Sequence, residues 1–159
     1  MGARGEAFAR EFEARVQEAT ALLEKLSDAD WKRTTGAEQW TVAATARHIA
    51  GSYEPVTGII KTIAGGQSVG NFTPQMLDQM NAQHAKEFAS CAKPETIALF
   101  KQGAAAAAAV VRGLSDAELA TSGTVFAGMP PMSAEDMVKR ALLDHLDEHL
   151  GSIRKTIGG

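Results

Sequence analysis

Apolar side chains recur every three or four positions through four long segments of the chain, which is the pattern of amphipathic helices. These four segments cover residues 6–26, 41–65, 94–113 and 133–153. A shorter segment of the same kind starts at Thr73-Pro74, where a hydroxyl cap precedes a proline at the first helical position, and ends near Cys91. None of the segments alternates in the manner of a strand. The sequence therefore predicts an all-α protein, a four-helix bundle with one additional short helix.

Length and composition predict a single domain over residues 1–159. A chain of 159 residues with 45% hydrophobic positions can bury a core without disulfides or a partner. Cys91 is the single cysteine, which excludes an intrachain disulfide and a cysteine-pair zinc site. The N-terminal residues contain no apolar signal core. These features favour a reducing compartment, and the predicted localisation is the cytoplasm.

Charge and hydropathy exclude two classes of partner. The 16 basic and 19 acidic residues leave a formal net charge of -3 with both signs interspersed, so nucleic acid is not expected as a ligand. The longest apolar run covers residues 104–111, well short of the roughly 20 residues of a membrane-spanning helix, so no membrane span is expected. The expected partners are a small-molecule substrate and a second copy of the chain in a homodimer.

Three segments stand out within the helical pattern. Pro55 lies inside the second long segment and predicts a kink or an irregular turn near residues 52–54. The stretch 121–132 combines glycines and prolines with apolar residues, which predicts either a cover over a site or an ordinary packed connection. Residues 114–118 also resemble residues 26–30, which suggests two helix-loop-helix halves.

Three histidines form the most informative group of polar side chains. His48 falls on the second long helix, and His145 and His149 fall four positions apart on the last one. Residues four apart lie on one helix face about 6 Å from each other, so two imidazoles can bind a single ion. A third imidazole from a facing helix leaves coordination positions open, as in catalytic metal sites. The alternative is that these are solvated or hydrogen-bonded histidines of an ordinary bundle.

Other polar residues are candidates for a pocket beside this group. The helical neighbours of His48 are small, Gly51 and Ser52 among them, which leaves room for a ligand. His84 and Asn81 share one face of the short helix, where His84 could transfer a proton and Asn81 could orient a substrate. For His84 the alternative is a hydrogen-bonded core or rim residue. The sequence assigns no catalytic residue beyond these candidates.

These residues carry a resemblance to the DinB-like superfamily of small helical metalloproteins. The resemblance runs from about Trp31 to Ile153. Its specific part is a histidine that is followed, after three helical segments, by a His-x-x-x-His pair. The segments that resemble the superfamily are Trp40-Thr41-Val42-Ala43, Ala46-Arg47-His48-Ile49-Ala50, Asn81, Leu114-Ser115-Asp116 and Asp144-His145-Leu146-Asp147-Glu148-His149.

The resemblance implies a bundle with one divalent metal ion, nickel or zinc, held by His48, His145 and His149. The superfamily includes thiol-dependent transferases and isomerases, in which a low-molecular-weight thiol such as bacillithiol or mycothiol binds the metal and attacks an electrophile. Its mycothiol-dependent maleylpyruvate isomerase branch has a carboxylate in place of one histidine of the last pair, where this chain has His145. This difference favours the all-histidine branch.

Three functions are compatible with these residues. The first is a metal-dependent thiol S-transferase acting on small electrophiles, because a divalent cation lowers the pKa of a coordinated thiol. The second is a metal-dependent hydrolase, because the same open site would activate water. The third is a non-catalytic bundle that binds metal or uses its histidines structurally. Family resemblance favours the first function, and the residues alone leave the choice open.

Overall fold

The computed structural model describes residues 2–158, which form a bundle of helices. The helices are α1 (Ala3–Lys25), α2 (Asp28–Trp31), α3 (Val42–Ala64), α4 (Pro74–Glu87), α5 (Lys93–Arg112), α6 (Asp116–Ala120), α7 (Ala134–Met137) and α8 (His145–Thr156). A π-helical segment (Val138–Asp144) joins α7 to α8, and two strands, β1 (Ser122–Gly123) and β2 (Met132–Ser133), pair antiparallel. The predicted all-α four-helix bundle is confirmed. Its long helices are α1, α3, α5 and the run from α7 to α8, and α4 is the predicted shorter helix.

The core lies where α1, α3 and α5 pack together. Phe12, Tyr53 and Phe100 come one from each of these helices and are buried. Their rings meet edge to face, at centroid distances of 5.5 Å between Phe12 and Tyr53 and 5.7 Å between Tyr53 and Phe100. Gly103 on α5 faces Tyr53 so closely that a Cβ at position 103 would lie 3.2 Å from the ring. The absent side chain therefore allows α3 and α5 to approach each other.

The outward faces of the helices are polar. On α1, Arg10 pairs with Glu6 and Arg15 pairs with Glu11, in both cases at 2.9 Å and one helical turn apart. Exposed pairs of this kind contribute little, so burial of the inner face dominates the stability of the helix. Within residues 2–158, no helix is both long and apolar enough to cross a membrane.

Helix α3 continues through Pro55, so of the two alternatives predicted near residues 52–54, a kink or an irregular turn, the irregular turn is wrong. Proline lacks the N–H that would bond to the carbonyl four positions earlier, and this loss often ends a helix. In α3, the buried side chains of Tyr53 and Ile60 hold the helix to the core on both sides of the proline, which is itself exposed. Tertiary packing therefore outweighs the local preference.

The stretch 121–132 is a packed connection that begins and ends in the two short strands. Its Phe126 ring stacks on Phe72 at a centroid distance of 5.6 Å, and β1 lies against Ile63 near the end of α3. His48 precedes Ile63 by fifteen residues, which is about 22 Å along a helix axis. These contacts favour the packed connection over a cover for the histidine group.

The sequence similarity between residues 26–30 and 114–118 corresponds to a repeated local structure. In each copy a serine caps a short helix, α2 or α6, and exchanges side-chain-to-backbone hydrogen bonds with the acidic residue three positions later. Each short helix follows a long helix and precedes the connection to the next long one. The two halves of the chain thus share the order long helix, short helix, long helix.

The last long helix contains a π-helical segment that the sequence analysis did not predict. Across Val138–Asp144 the backbone bonds are spaced five residues apart, and the His145 N–H, for example, bonds to the Arg140 carbonyl. One extra residue in a turn shifts the helical phase by roughly 100° relative to a regular α-helix. Because the segment ends directly before His145, it sets the direction in which the histidine pair of α8 points.

Candidate metal centre

Histidines from α3 and α8 come together at one point in the bundle. His48, His145 and His149 each offer one nitrogen, and these nitrogens all lie within 4.8 Å of one another. The Nε2 atoms of His48 and His145 are 2.9 Å apart, and the three ring centroids are separated by 4.6 to 4.9 Å. The structure therefore brings together the three residues that the sequence analysis selected as metal ligands.

The electrostatic surroundings of these histidines favour the neutral imidazole, which is the form that binds a cation. Burial, followed by the charges of the neighbouring histidines, lowers the pKa of His48 to about 3. Burial, followed by His149, lowers the pKa of His145 to about 4. Both imidazoles are therefore neutral at pH 7 and have no extra proton to lose before they bind an ion. Neutral imidazole nitrogens of half-buried side chains fit a zinc or nickel ion.

Glu38 is a residue of this site that the sequence analysis missed. Its side chain is only 10% exposed, and its Oε2 lies 2.6 Å from Nδ1 of His149. Ser152 Oγ donates to Oε1 of the same carboxylate at 2.5 Å. With Nδ1–H directed at the carboxylate, the Nε2 lone pair of His149 is free for an ion, as in other carboxylate–histidine–metal groups.

The charge on Glu38 is maintained despite its burial. Burial raises the pKa of the carboxyl, but hydrogen bonds from Ser152 and His149 outweigh this effect, and the pKa of Glu38 is lowered. Glu38 and His149 are 111 positions apart in sequence. No spacing rule relates a loop residue to a helix residue at that separation, so the carboxylate could be found only from the fold.

The connection before α3 supplies two side chains that contact His149. Gln39 has a φ of 62°, in the left-handed region that residues other than glycine rarely adopt. It separates Glu38 from Trp40, whose ring stacks on the His149 ring at a centroid distance of 6.1 Å. The Trp40 carbonyl accepts a hydrogen bond from the backbone N–H five positions earlier, which closes the turn. The unusual backbone at Gln39 therefore occurs where both of its neighbours face the histidine group.

Among the predicted pocket residues, the structure places His84 next to the histidine group. Its ring centroid lies 6.1 Å from that of His48, and burial followed by the charge of Arg47 lowers the pKa of His84. The Ser52 hydroxyl donates at 2.7 Å to a carbonyl of its own helix. Asn81 is half-buried on α4, one turn before His84.

The space beside Gly51 is filled by the chain itself, which corrects the expectation that it leaves room for a ligand. A Cβ at position 51 would collide with Nη1 of Arg47, which lies one turn earlier on α3. The Arg47 guanidinium stacks on the ring of Phe88 at 4.1 Å, and its Nη1 lies 3.4 Å from Nε2 of His84. The glycine therefore allows an arginine to lie flat across the helix.

Comparison with protein families gives one match, the mycothiol maleylpyruvate isomerase N-terminal domain, over residues 12–146. The matched range includes His48 and His145, and His149 follows it directly on α8. A search of curated proteins finds no match.

Solved structures with a similar fold include a mycothiol-dependent maleylpyruvate isomerase, with 12% identity and a TM-score of 0.70. A histidine-to-alanine mutant of such an isomerase gives 11% identity and a TM-score of 0.71. Both alignments cover 94% of this chain and 59% of the isomerase chain. YfiT from Bacillus subtilis, described as a probable metal-dependent hydrolase with an unusual four-helix bundle topology, gives 16% identity and a TM-score of 0.69 over 98% of this chain and 86% of its own.

Proposed function

The chain belongs to the mycothiol maleylpyruvate isomerase N-terminal domain family, within the DinB-like superfamily, and on this basis we propose that it is a metal-dependent S-transferase that joins a low-molecular-weight thiol to a small electrophile. The observation that carries the proposal is the convergence of His48, His145 and His149. Because the chain spans 59% of the isomerase chain, the isomerase's own substrate is not carried over. The family model is named for the isomerase branch, whereas His145 favours the all-histidine branch, so isomerisation is not part of the proposal.

In this proposal, His48, His145 and His149 hold one divalent ion, zinc or nickel, through their neutral nitrogens. When bound, the ion would lower the pKa of a coordinated thiol and so supply a thiolate at neutral pH. In such a transfer the sulfur would form a bond to the electrophilic carbon, the leaving group would depart with its electron pair, and the thiol proton would pass to solvent.

The surrounding residues orient the ligands and limit access to them. Glu38 fixes the ring of His149 through Nδ1, which keeps Nε2 directed at the ion. Trp40 stacks on the same ring and keeps water from one side of it. We expect the electrophile to approach from the other side of the group, where His84 lies against His48.

The proposal is tested with purified protein loaded with zinc or nickel. Mycothiol, bacillithiol and cysteine are each offered together with 1-chloro-2,4-dinitrobenzene, and the thioether product is followed by absorbance. At least one thiol should react faster than in the absence of protein. The double variant His145→Ala, His149→Ala should lose both the ion and this acceleration. Equal acceleration by the double variant and the wild type would overturn the proposal.

A metal-dependent hydrolase is the second candidate. The observation in its favour is that YfiT matches over 98% of this chain and 86% of its own length. The same three ligands would lower the pKa of a bound water instead of a thiol. Hydrolysis of p-nitrophenyl acetate without thiol, lost in the double variant, would favour this function. Ion binding without turnover in either assay would indicate the non-catalytic bundle.

The proposal also includes two finer properties expected from the sequence, namely assembly as a homodimer and location in the cytoplasm. Light scattering of the metal-loaded protein measures the oligomeric state, and elemental analysis of protein purified from its own source identifies the native ion. A monomer would remove the dimer from the proposal without affecting the metal site.

A further inference from the structure

We infer that Arg47 is the residue that selects for an anionic partner at this site, a thiol or an electrophile that carries a carboxylate. The inference rests on the proposed function, because it names the substrate class of the same site. It goes beyond that function by assigning a specificity-determining role to a side chain outside the three histidines.

The Arg47 guanidinium is held in one orientation by contacts on both α3 and α4. Its Cζ lies over the Phe88 ring, 4.1 Å from the centroid. Its Nη1 lies 3.4 Å from Nε2 of His84, and Gly51 lies beneath it without a Cβ. A guanidinium that is already ordered loses little conformational entropy when it binds a ligand. These contacts prepare the side chain for a planar, two-point interaction.

Within residues 2–158, the Arg47 guanidinium forms no salt bridge with a carboxylate. Within the part of the chain that the structure describes, no Asp or Glu oxygen lies within 4.0 Å of Arg47. Arg47 makes a polar contact with the imidazole of His84, which brings no negative charge. Most of its five N–H donors are therefore available, and a carboxylate accepts two of them in parallel.

The guanidinium is close to the histidine group through His84. The His84 ring lies 6.1 Å from the ring of His48 on one side and contacts Arg47 on the other. A short molecule can therefore place its carboxylate on Arg47 while its reactive atom reaches the three histidines. This placement fits a small carboxylic acid.

A binding experiment tests whether the thiol is the partner that carries the carboxylate. Nickel-loaded protein in a Cys91→Ala background, which removes the chain's own thiol, is titrated with 3-mercaptopropionate and with the uncharged 2-mercaptoethanol. Wild-type protein should prefer the carboxylate, and Arg47→Met should reduce the preference by about tenfold or more, the effect of losing a hydrogen bond to a charged group. The matched control Arg10→Met removes the same charge from the exposed face of α1 and should retain the preference.

Alkylation rates test whether the electrophile is the partner that carries the carboxylate. With 2-mercaptoethanol as the thiol, the rate of alkylation by iodoacetate is divided by the rate with iodoacetamide, and the same ratio without protein serves as the reference. A ratio raised by the wild type and lowered to the reference in Arg47→Met supports the inference. Arg47→Lys, which keeps the charge but not the planar fork, should retain part of the ratio and serves as the second variant if Arg47→Met fails to fold.

The outcomes separate the two proposals. If thiols bind and react but neither preference changes in Arg47→Met, the role of Arg47 is overturned and the proposed function stands. If wild-type protein neither binds a thiol nor accelerates alkylation, both are overturned. A preference lost in Arg47→Met and retained in Arg10→Met supports both.

Discussion

Among single residues, Glu38 determines the orientation in which the His149 ring faces an ion. Its carboxylate lies 2.6 Å from Nδ1 of His149 and also accepts from Ser152. We expect Glu38→Gln to weaken zinc affinity by about 10- to 100-fold, because the amide lacks the charge that orients the ring and increases its basicity. Competition with a chromophoric chelator measures the change. Glu54→Gln, on the exposed part of α3, is the control, and equal affinities in the two variants would contradict this role.

The half-buried His48 also makes the metal-free protein sensitive to acid. The pKa of His48 is lowered to about 3 in the folded chain, against 6.5 when unfolded. As pH falls below 6.5, the unfolded chain binds a proton at this position and the folded chain does not, so stability decreases. At pH 5 this single group lowers the free energy of unfolding by about 2 kcal/mol relative to neutral pH.

Urea unfolding in the presence of EDTA at pH 7 and pH 5 tests this effect. The wild type should lose about 2 kcal/mol more between these pH values than the His48→Gln variant, which cannot take up the proton. His145→Gln should give a similar result, because the pKa of His145 is lowered to about 4 by burial and then by His149. Parallel losses in the wild type and both variants would show that these imidazoles are already protonated or solvated in the folded state.

At the scale of elements, the turn before α3 has an unusual backbone conformation between two residues that contact His149. Gln39 has a φ of 62° between Glu38 and Trp40. Gln39→Gly and Gln39→Val both remove the side-chain hydrogen bond to the Gly36 carbonyl, so comparing them isolates the backbone effect. Valine at positive φ costs about 1–2 kcal/mol, whereas glycine adopts it freely.

The glycine variant should therefore keep zinc affinity near the wild-type value, and the valine variant should lower both stability and affinity as Glu38 moves. Urea unfolding and chelator competition measure the two quantities. Ala37→Val adds the same side chain to an exposed position of the same turn and is the matched control. If valine at position 39 is as well tolerated as valine at position 37, the turn does not position the site.

Other elements show where local sequence reasoning reaches its limit. Ser27 and Ser115 lie in the two segments whose similarity is visible in the sequence, and each caps a short helix with the acidic residue three positions later. The sequence left open whether α3 has an irregular turn at Pro55, and it did not predict the π-helical segment before His145. Capping depends on residues three positions apart, whereas these two features depend on packing against other helices.

At the scale of the whole molecule, the bundle could be predicted because its apolar residues recur with the period of a helix. Apolar stripes specify helices, and helices with one apolar face pack together. The spacing of His145 and His149 likewise indicated a shared face before any fold was known. The contacts of Glu38 and Arg47 join residues 111 and 37 positions away, so they are properties of the packed chain. For this reason the sequence predicted the candidate ligands but not the residues that orient them.

An ion bound by the three histidines would link α3 to α8. Its ligands His48 and His145 are 97 positions apart in the chain. A ligand that binds only the folded state raises the free energy of unfolding by about 2.7 kcal/mol at a hundredfold excess over its Kd. For a chain of this size, we expect zinc at that excess to raise the Tm by roughly 5–10 °C and EDTA to reverse the shift. Calorimetry at pH 7 should show no shift in the double variant His145→Ala, His149→Ala, and the full shift in His84→Ala, which leaves the three ligands in place. An undiminished shift in the double variant would mean that zinc stabilises the fold through other residues, and the proposed ligand set would be wrong.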